Sequence, residues 1–173
     1  MYGNSDRWYA LFVKTGEEDN VRDRLEYKLR GKGLRIVVPK RRIKEKKKGV
    51  WEHRLKSLFP GYILLNGQIG LEEYYLLKGV PGLLRILKDD YGPLEIEEKE
   101  ISIIARLIRY DEIIGSSKVF IDNGKVVVVD GPLLGMEGHI QSIDKRKGRA
   151  KVRINFIGQP RLVDLSVSMI QPF

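Results

Sequence analysis

The sequence predicts an α+β protein of two domains: an N-terminal α/β sandwich, with helices on an antiparallel sheet, joined to a small C-terminal β-barrel. Over the first 112 positions, apolar residues alternate between strand-like runs and helical spacing, in the order βαββαβα. After position 118 the helical periodicity disappears, and short β-prone runs follow one another with turn residues between them. We therefore predict domains at residues 1–112 and 118–173, with a linker at residues 113–117.

The first elements follow from the spacing of apolar residues. The run WYALFV, from Trp8 to Val13, is short and bounded by polar residues, which indicates a strand. An apolar residue at every fourth position from Val21 to Leu29 predicts one buried face of a helix. Thr15 and Glu18 have the spacing of a capping box, so we expect them to cap the start of that helix.

The remaining elements are predicted in the same way. Further strands are expected at residues 34–39, at 62–65 in the centre of the sheet, and after Pro81-Gly82. Helices are expected at residues 71–78 and around Ile101, Ile104, Ala105 and Ile108. In the C-terminal domain, strands are expected within residues 125–130, 137–143, 150–156 and 161–165.

Composition argues against an enzyme. The absence of Cys excludes disulfides, thiolate zinc sites and cysteine nucleophiles. His53 and His139 lack a metal-binding spacing, and the sequence has neither a glycine-rich phosphate loop nor a nucleophile-elbow serine. We therefore expect no catalytic residue, no cofactor and no metal. No apolar run reaches the roughly 18 residues of a membrane span, and residues 1–13 lack a secretory signal, so we expect a cytoplasmic protein without membrane contact.

Positive charge is concentrated in two places. The net charge is +9 and the pI about 9.7, which favours encounter with polyanions. Between Lys40 and Lys56, nine residues are Lys or Arg and two are acidic; with Gly49 near its middle, this segment is predicted to be an exposed basic hairpin. Trp51 and His53 lie among these cations, which suits phosphate contact with base stacking; a merely solubilising loop is the alternative. Its candidate nucleic-acid contacts are Lys46, Lys47, Lys48 and Arg54.

The second concentration is a C-terminal cation cluster at a predicted turn and the strand that follows it. Side chains at positions 149, 151 and 153 share one face of that strand because successive side chains alternate. A row of cations on a barrel strand is expected to face solvent, where it either grips the phosphates of a folded RNA or serves solubility alone. The cluster consists of Lys145, Arg146, Lys147, Arg149, Lys151 and Arg153.

Two interpretations are open for the aromatic residues of the FPGY segment. Phe59 and Tyr62 are either ordinary core residues, with Pro60-Gly61 bending the strand, or part of an exposed apolar surface of the kind that marks a partner site. Because Trp8 and Tyr9 point to opposite faces of their strand, only one of them can join such a surface.

Most of the chain resembles the NusG family of transcription factors. The run at residues 126–154, VVVVDGPLLGMEGHIQSIDKRKGRAKVRI, resembles a KOW motif. The positions that match that motif are Val127, Val129, Asp130, Gly131, Pro132 and Gly138. WYAL from Trp8, Val38-Pro39, FPGY from Phe59 and GVPGLLRIL from Gly79 follow the order of the family's N-terminal domain.

This resemblance implies an N-terminal domain of the NusG type and a tethered KOW barrel of the SH3-like class. It also implies that the first domain docks on the clamp helices of RNA polymerase through an apolar surface, for which Trp8, Phe59 and Tyr62 are the candidates. The nucleic acid nearest to the basic hairpin would then be upstream or non-template DNA.

One departure points to a specialised member. Ile157 stands where the family commonly has a Phe that helps to contact a ribosomal protein and the termination factor Rho. With the basic turn, this favours resemblance to LoaP-type antiterminators, whose KOW domain binds an RNA hairpin. A general NusG that couples polymerase to the ribosome or Rho is the alternative. A ribosomal or ribosome-assembly KOW protein is a third, against which the N-terminal motifs argue.

Overall fold

The computed structural model describes residues 7–108 and 112–171, which contacts divide into two compact units. Residues 7–39 and 59–97 belong to the first unit; residues 40–58, 98–108 and 112–171 belong to the second. In chain order the elements are β1 (Trp8–Val13), α1 (Glu18–Lys28), β2 (Arg35–Val37), β3 (Lys40–Lys47), β4 (Val50–Ser57), β5 (Tyr62–Asn66), α2 (Leu71–Leu77), β6 (Leu83–Ile86), β7 (Lys88–Asp89), β8 (Gly92–Pro93), α3 (Glu98–Leu107), β9 (Ile113–Ile114), β10 (Ser117–Asp122), β11 (Lys125–Asp130), a 3-10 helix (Glu137–His139), β12 (Ile140–Asp144), β13 (Arg149–Phe156) and β14 (Gln159–Met169).

The first unit is built on an antiparallel sheet in the order β2-β5-β1-β6. The predicted central position of β5 and the predicted helix α1 are confirmed. Val21 and Leu25 of α1 are fully buried and share one core cluster with Leu11 of β1 and Ile63 of β5. The four-residue spacing thus identified the buried face of the helix, because apolar side chains lose contact with water there. The short ribbon of β7 and β8 was not predicted.

The predicted capping box at the start of α1 is wrong. Glu17 occupies the N-cap position, and no side chain caps the helix. The carboxylate of Glu18 is instead buried, and it accepts hydrogen bonds from the backbone N–H groups of Gly16 at 2.9 Å and Gly61 at 2.8 Å. A buried backbone donor needs an acceptor, so Glu18 satisfies the tight turn at Gly61, where φ is +86°.

The second unit contains the basic hairpin, α3 and the C-terminal strands. Strands β3 and β4 pair along their length, and Lys48 and Gly49 form the turn with positive φ angles, which confirms the predicted hairpin. Strand β3 also pairs in parallel with β9, where Lys40 lies opposite Ile113. In the described part of the chain, no helix combines the length and apolar character needed to cross a bilayer.

The C-terminal strands form a five-stranded sheet in the order β11-β10-β14-β13-β12. Strand β10 was not predicted, and the proposed linker at residues 113–117 is corrected, because β9 ends at Ile114 and β10 begins at Ser117. Strand β9 pairs in parallel with β3, and β10 pairs in parallel with β14, so both have partners far away in the chain. The compact units therefore differ from the predicted domains, since the hairpin groups with the C-terminal strands.

Gly131, in the turn after β11, provides a test of this packing. A Cβ atom there would lie 2.6 Å from Ser117 Cα, and φ is +106°. We expect Gly131→Ala to lower the free energy of unfolding by roughly 3 kcal/mol, combining a backbone cost of about 1–2 kcal/mol with overpacking of about 1–3 kcal/mol. The matched variant is Gly124→Ala, with φ +78° and no atom within 4 Å of the added Cβ, which should show the backbone cost alone. Equal losses in urea unfolding would contradict the steric argument.

Candidate functional site

Two of the three predicted polymerase contacts are core residues. Trp8 is 9% exposed and Phe59 is 2% exposed. Trp8 lies in β1, a central strand, and Phe59 precedes β5, the other central strand. Side chains buried at this level offer no surface to a partner, so the structure does not support direct contact through Trp8 or Phe59.

The third candidate, Tyr62, is half-buried and belongs to a row that crosses three strands. Its ring meets that of Phe12 edge-on, with centroids 5.4 Å apart, and the guanidinium of Arg85 lies 5.4 Å from the Phe12 ring centre. Strand pairing places Tyr62 and Arg85 on either side of Phe12. The sequence analysis did not identify Phe12. Because side chains alternate along a strand, Phe12 lies on the same face of β1 as Trp8.

The basic hairpin carries its free charge at its tip. Lys46, Lys47 and Lys48 are exposed, as expected for contacts with a polyanion. Arg54 differs from the other candidates because its guanidinium lies 3.5 Å from the carboxylates of both Glu45 and Glu52. It is therefore partly neutralised within the hairpin.

Five of the six residues in the C-terminal cation cluster are exposed. Lys145, Arg146 and Lys147 lie in the turn between β12 and β13, and Lys151 and Arg153 lie on β13. The backbone N–H of Lys147 donates to Asp144 Oδ1 at 2.9 Å, which fixes the shape of the turn. The cluster thus presents five long cationic side chains to solvent over a short stretch of one β-hairpin.

Arg149 is the exception in that cluster. Its side chain is 17% exposed, and its guanidinium lies 3.7 Å from Asp164 and donates a hydrogen bond to the Lys44 carbonyl oxygen at 2.7 Å. Arg41 makes a second link from the hairpin, donating to the Asp164 carbonyl oxygen at 2.8 Å, and burial lowers the pKa of its guanidinium. These two arginines fasten the basic hairpin to the C-terminal sheet, so Arg149 is not the free RNA contact that the sequence predicted.

The turn at Ile157, where the sequence departs from the family pattern, is also occupied. The carboxylate of Glu100, 8% exposed in the first turn of α3, accepts the backbone N–H of Ile157 and that of Gly158, each at 2.8 Å. Both turn residues have positive φ. Nothing in the sequence near Glu100 signals this role, because its partners lie more than fifty residues away.

Charged and aromatic surfaces are the features of this structure that can bind a partner. Across residues 7–108 and 112–171, no three His, Asp or Glu side chains are grouped so that they could hold a metal ion. A cavity of about 150 Å³ is lined by Glu100, His139 and Arg153 together with neighbouring residues of α3 and β13. Its carboxylate, Glu100, already accepts the backbone N–H groups of Ile157 and Gly158.

Comparison with known proteins supports the resemblance. The "Transcription termination/antitermination protein NusG" of Bacillus subtilis is 28% identical over 174 residues, covering 94% of this chain and 96% of the relative. The protein of the same name from Thermus thermophilus is 25% identical, covering 96% and 98%. A solved structure, "Domain interaction in Thermotoga maritima NusG", has a similar fold, with a TM-score of 0.59 at 24% identity over 92% of this chain and 93% of that one. Residues 6–105 match the model of a family described as "Transcription termination factor nusG", and the chain therefore belongs to the NusG family.

Proposed function

We propose that this protein is a specialised transcription antitermination factor. Its N-terminal part docks on the clamp helices of RNA polymerase, and its C-terminal strands, closed as a KOW-type barrel, bind a hairpin in the nascent RNA. It works by binding, without catalysis, and acts in the cytoplasm where transcription takes place. The basic hairpin then lies close to upstream or non-template DNA.

The exposed C-terminal cation cluster is the observation that carries this proposal. Lys145, Arg146, Lys147, Lys151 and Arg153 all reach solvent, whereas Asp164 on the neighbouring strand is paired with Arg149. Five cations on one turn and the strand that follows it can contact several phosphates of an RNA backbone, and each phosphate contact adds affinity by releasing counterions. A cluster of this kind reads the shape of a folded RNA.

Polymerase docking is assigned to the row of Tyr62, Phe12 and Arg85 in place of the buried Trp8 and Phe59. Aromatic and arginine side chains dominate the energetics of protein interfaces. The row combines two half-buried rings with an exposed cation on one face of the sheet. The rings offer apolar contact and Arg85 offers a positive charge, so the row suits a helical partner with apolar and acidic side chains.

We expect Phe12→Ala with Tyr62→Ala to weaken binding of the full chain to RNA polymerase by about 30-fold or more, since the loss of even one interface hot spot costs about 2 kcal/mol. The measurement is biolayer interferometry with purified core polymerase, with circular dichroism to verify folding. Tyr91→Ala is the matched control, because Tyr91 is 98% exposed and lies outside the row. Undiminished affinity in the double variant would remove this surface from the proposal.

A transcription assay tests the function as a whole. Templates carry a terminator downstream of leader segments from the protein's own operons, and readthrough is measured with and without the full chain. Readthrough that depends on one leader hairpin supports a specialised antiterminator. Hairpin-independent effects, with binding to Rho or a ribosomal protein, would instead identify the alternative, a general NusG.

A further inference from the structure

We propose that the tip of the basic hairpin and the turn between β12 and β13 form one binding site for a short single-stranded stretch of nucleic acid. In this shared groove, Trp51 stacks on a base and lysines from both segments contact the flanking phosphates. The inference rests on the proposed function, because it assigns part of the nucleic-acid binding to a site that neither segment forms alone.

The two segments are held together by partly buried guanidinium groups. Arg149 of β13 donates to the Lys44 carbonyl oxygen at 2.7 Å, and Arg41 of β3 donates to the Asp164 carbonyl oxygen at 2.8 Å. Ile43, between these links on β3, is 1% exposed. A guanidinium removed from water is costly unless it keeps its partners, so these contacts fix the position of the hairpin relative to β13.

The attachment creates a groove of about 570 Å³, within the roughly 300–1,000 Å³ typical of ligand pockets. It is open to solvent. Its basic and aromatic walls come from both segments: Lys46, Lys47, Trp51 and Arg54 from the hairpin, and Lys147 and Arg149 from the C-terminal sheet.

Charge in the groove is not balanced internally. Its single carboxylate, Glu45, accepts a hydrogen bond from Lys56, which lowers the pKa of Glu45, and it also lies 3.5 Å from Arg54. The ammonium groups of Lys46, Lys47 and Lys147 have no carboxylate partner in the described ranges. Three cations around one groove repel one another until an anion with several charges enters, which makes a phosphodiester chain the fitting ligand.

Trp51 favours single-stranded over double-stranded nucleic acid. The side chain is 43% exposed at the groove, beside its cross-strand neighbour Lys46. An exposed indole among cations is a stacking platform for an unpaired base, worth about 1–3 kcal/mol per base. A paired base keeps its faces inside the duplex and cannot stack there, so we expect selection for unpaired segments.

Fluorescence of the full chain tests the site directly, because Trp51 and the buried Trp8 are the two tryptophans. Labelled hexanucleotides of RNA (U6) and DNA (dT6) are titrated, following tryptophan quenching and anisotropy. We expect one bound strand per chain and quenching that disappears in Trp51→Phe. Trp51→Leu should weaken binding by about 5-fold or more. A preference for U6 identifies RNA as the ligand, and a preference for dT6 identifies DNA.

The decisive variant lies on the other segment. Lys147→Gln should shift the Trp51 quenching curve to about 3- to 5-fold higher concentration, as loss of one phosphate contact does. The matched control, Lys125→Gln, changes an exposed lysine of the same compact unit that lies outside the C-terminal cation cluster and does not line the groove, and it should leave the curve within about twofold. The shared site would be overturned if Lys147→Gln left the quenching curve unaffected. It would also be overturned if hexaglutamate displaced U6 and dT6 equally well, because any polyanion would then bind. If a leader hairpin still binds the C-terminal cation cluster in that case, the proposed function stands and only this inference fails.

Discussion

Replacing Lys145, Arg146, Lys151 and Arg153 together with Gln is expected to reduce affinity for a leader RNA hairpin about a thousandfold at 0.15 M salt. All four side chains are exposed, and none lines the shared groove. Each phosphate contact contributes about 0.7–0.9 to the slope of log affinity against log salt concentration, so the slope should fall by about 3. The measurement is filter binding of the full chain at several salt concentrations.

A control separates this effect from the loss of net charge. Replacing Lys14, Lys28, Arg30 and Lys78 with Gln removes the same charge from exposed positions in the first unit. Non-specific steering depends on the field of the whole protein, so this variant should bind only a few-fold more weakly and keep its salt slope. Equal losses in the two variants would reduce the C-terminal cation cluster to a part of a generally basic surface.

Removing the Glu100 carboxylate is expected to release the Ile157–Gly158 turn. In Glu100→Ala, two backbone N–H groups lose charged acceptors, each worth about 1.5–3 kcal/mol. With water replacing part of that loss, amide hydrogen exchange at these two positions should accelerate roughly 30- to 1,000-fold, which corresponds to about 2–4 kcal/mol. Two-dimensional NMR of the labelled full chain resolves both amides.

Two further variants test whether loss of the Glu100 carboxylate causes the faster amide exchange. Glu98→Ala removes an exposed carboxylate from the same helical turn and should leave both amides protected, whereas Glu100→Gln keeps one acceptor oxygen and should fall between. Fast exchange of both amides in the unaltered protein would show that Glu100 does not hold this turn in solution.

Local features of this protein were predictable from the sequence because they depend on neighbours in the chain. The helical face at Val21 and Leu25, the strand at Trp8–Val13 and the turn at Lys48-Gly49 each follow from side-chain periodicity or backbone freedom within a few residues. Clustered charge is also a local property, so the exposed cations at the hairpin tip and in the C-terminal cation cluster were identified correctly, whereas Arg41, Arg54 and Arg149 are partly buried.

Availability for binding was decided by the tertiary structure. Trp8 and Phe59 have the same residue types as a partner surface, yet burial removes them from it. Arg149 is indistinguishable from Lys151 in the strand pattern, but it is occupied by Lys44, which lies 105 residues away in the chain. Glu18 likewise accepts from a backbone N–H group 43 residues away, and Glu100 accepts from two that are 57 and 58 residues away. Periodicity reports which face of an element a side chain occupies, whereas the partner on that face is set only when distant segments pack and every buried donor and charge must be satisfied.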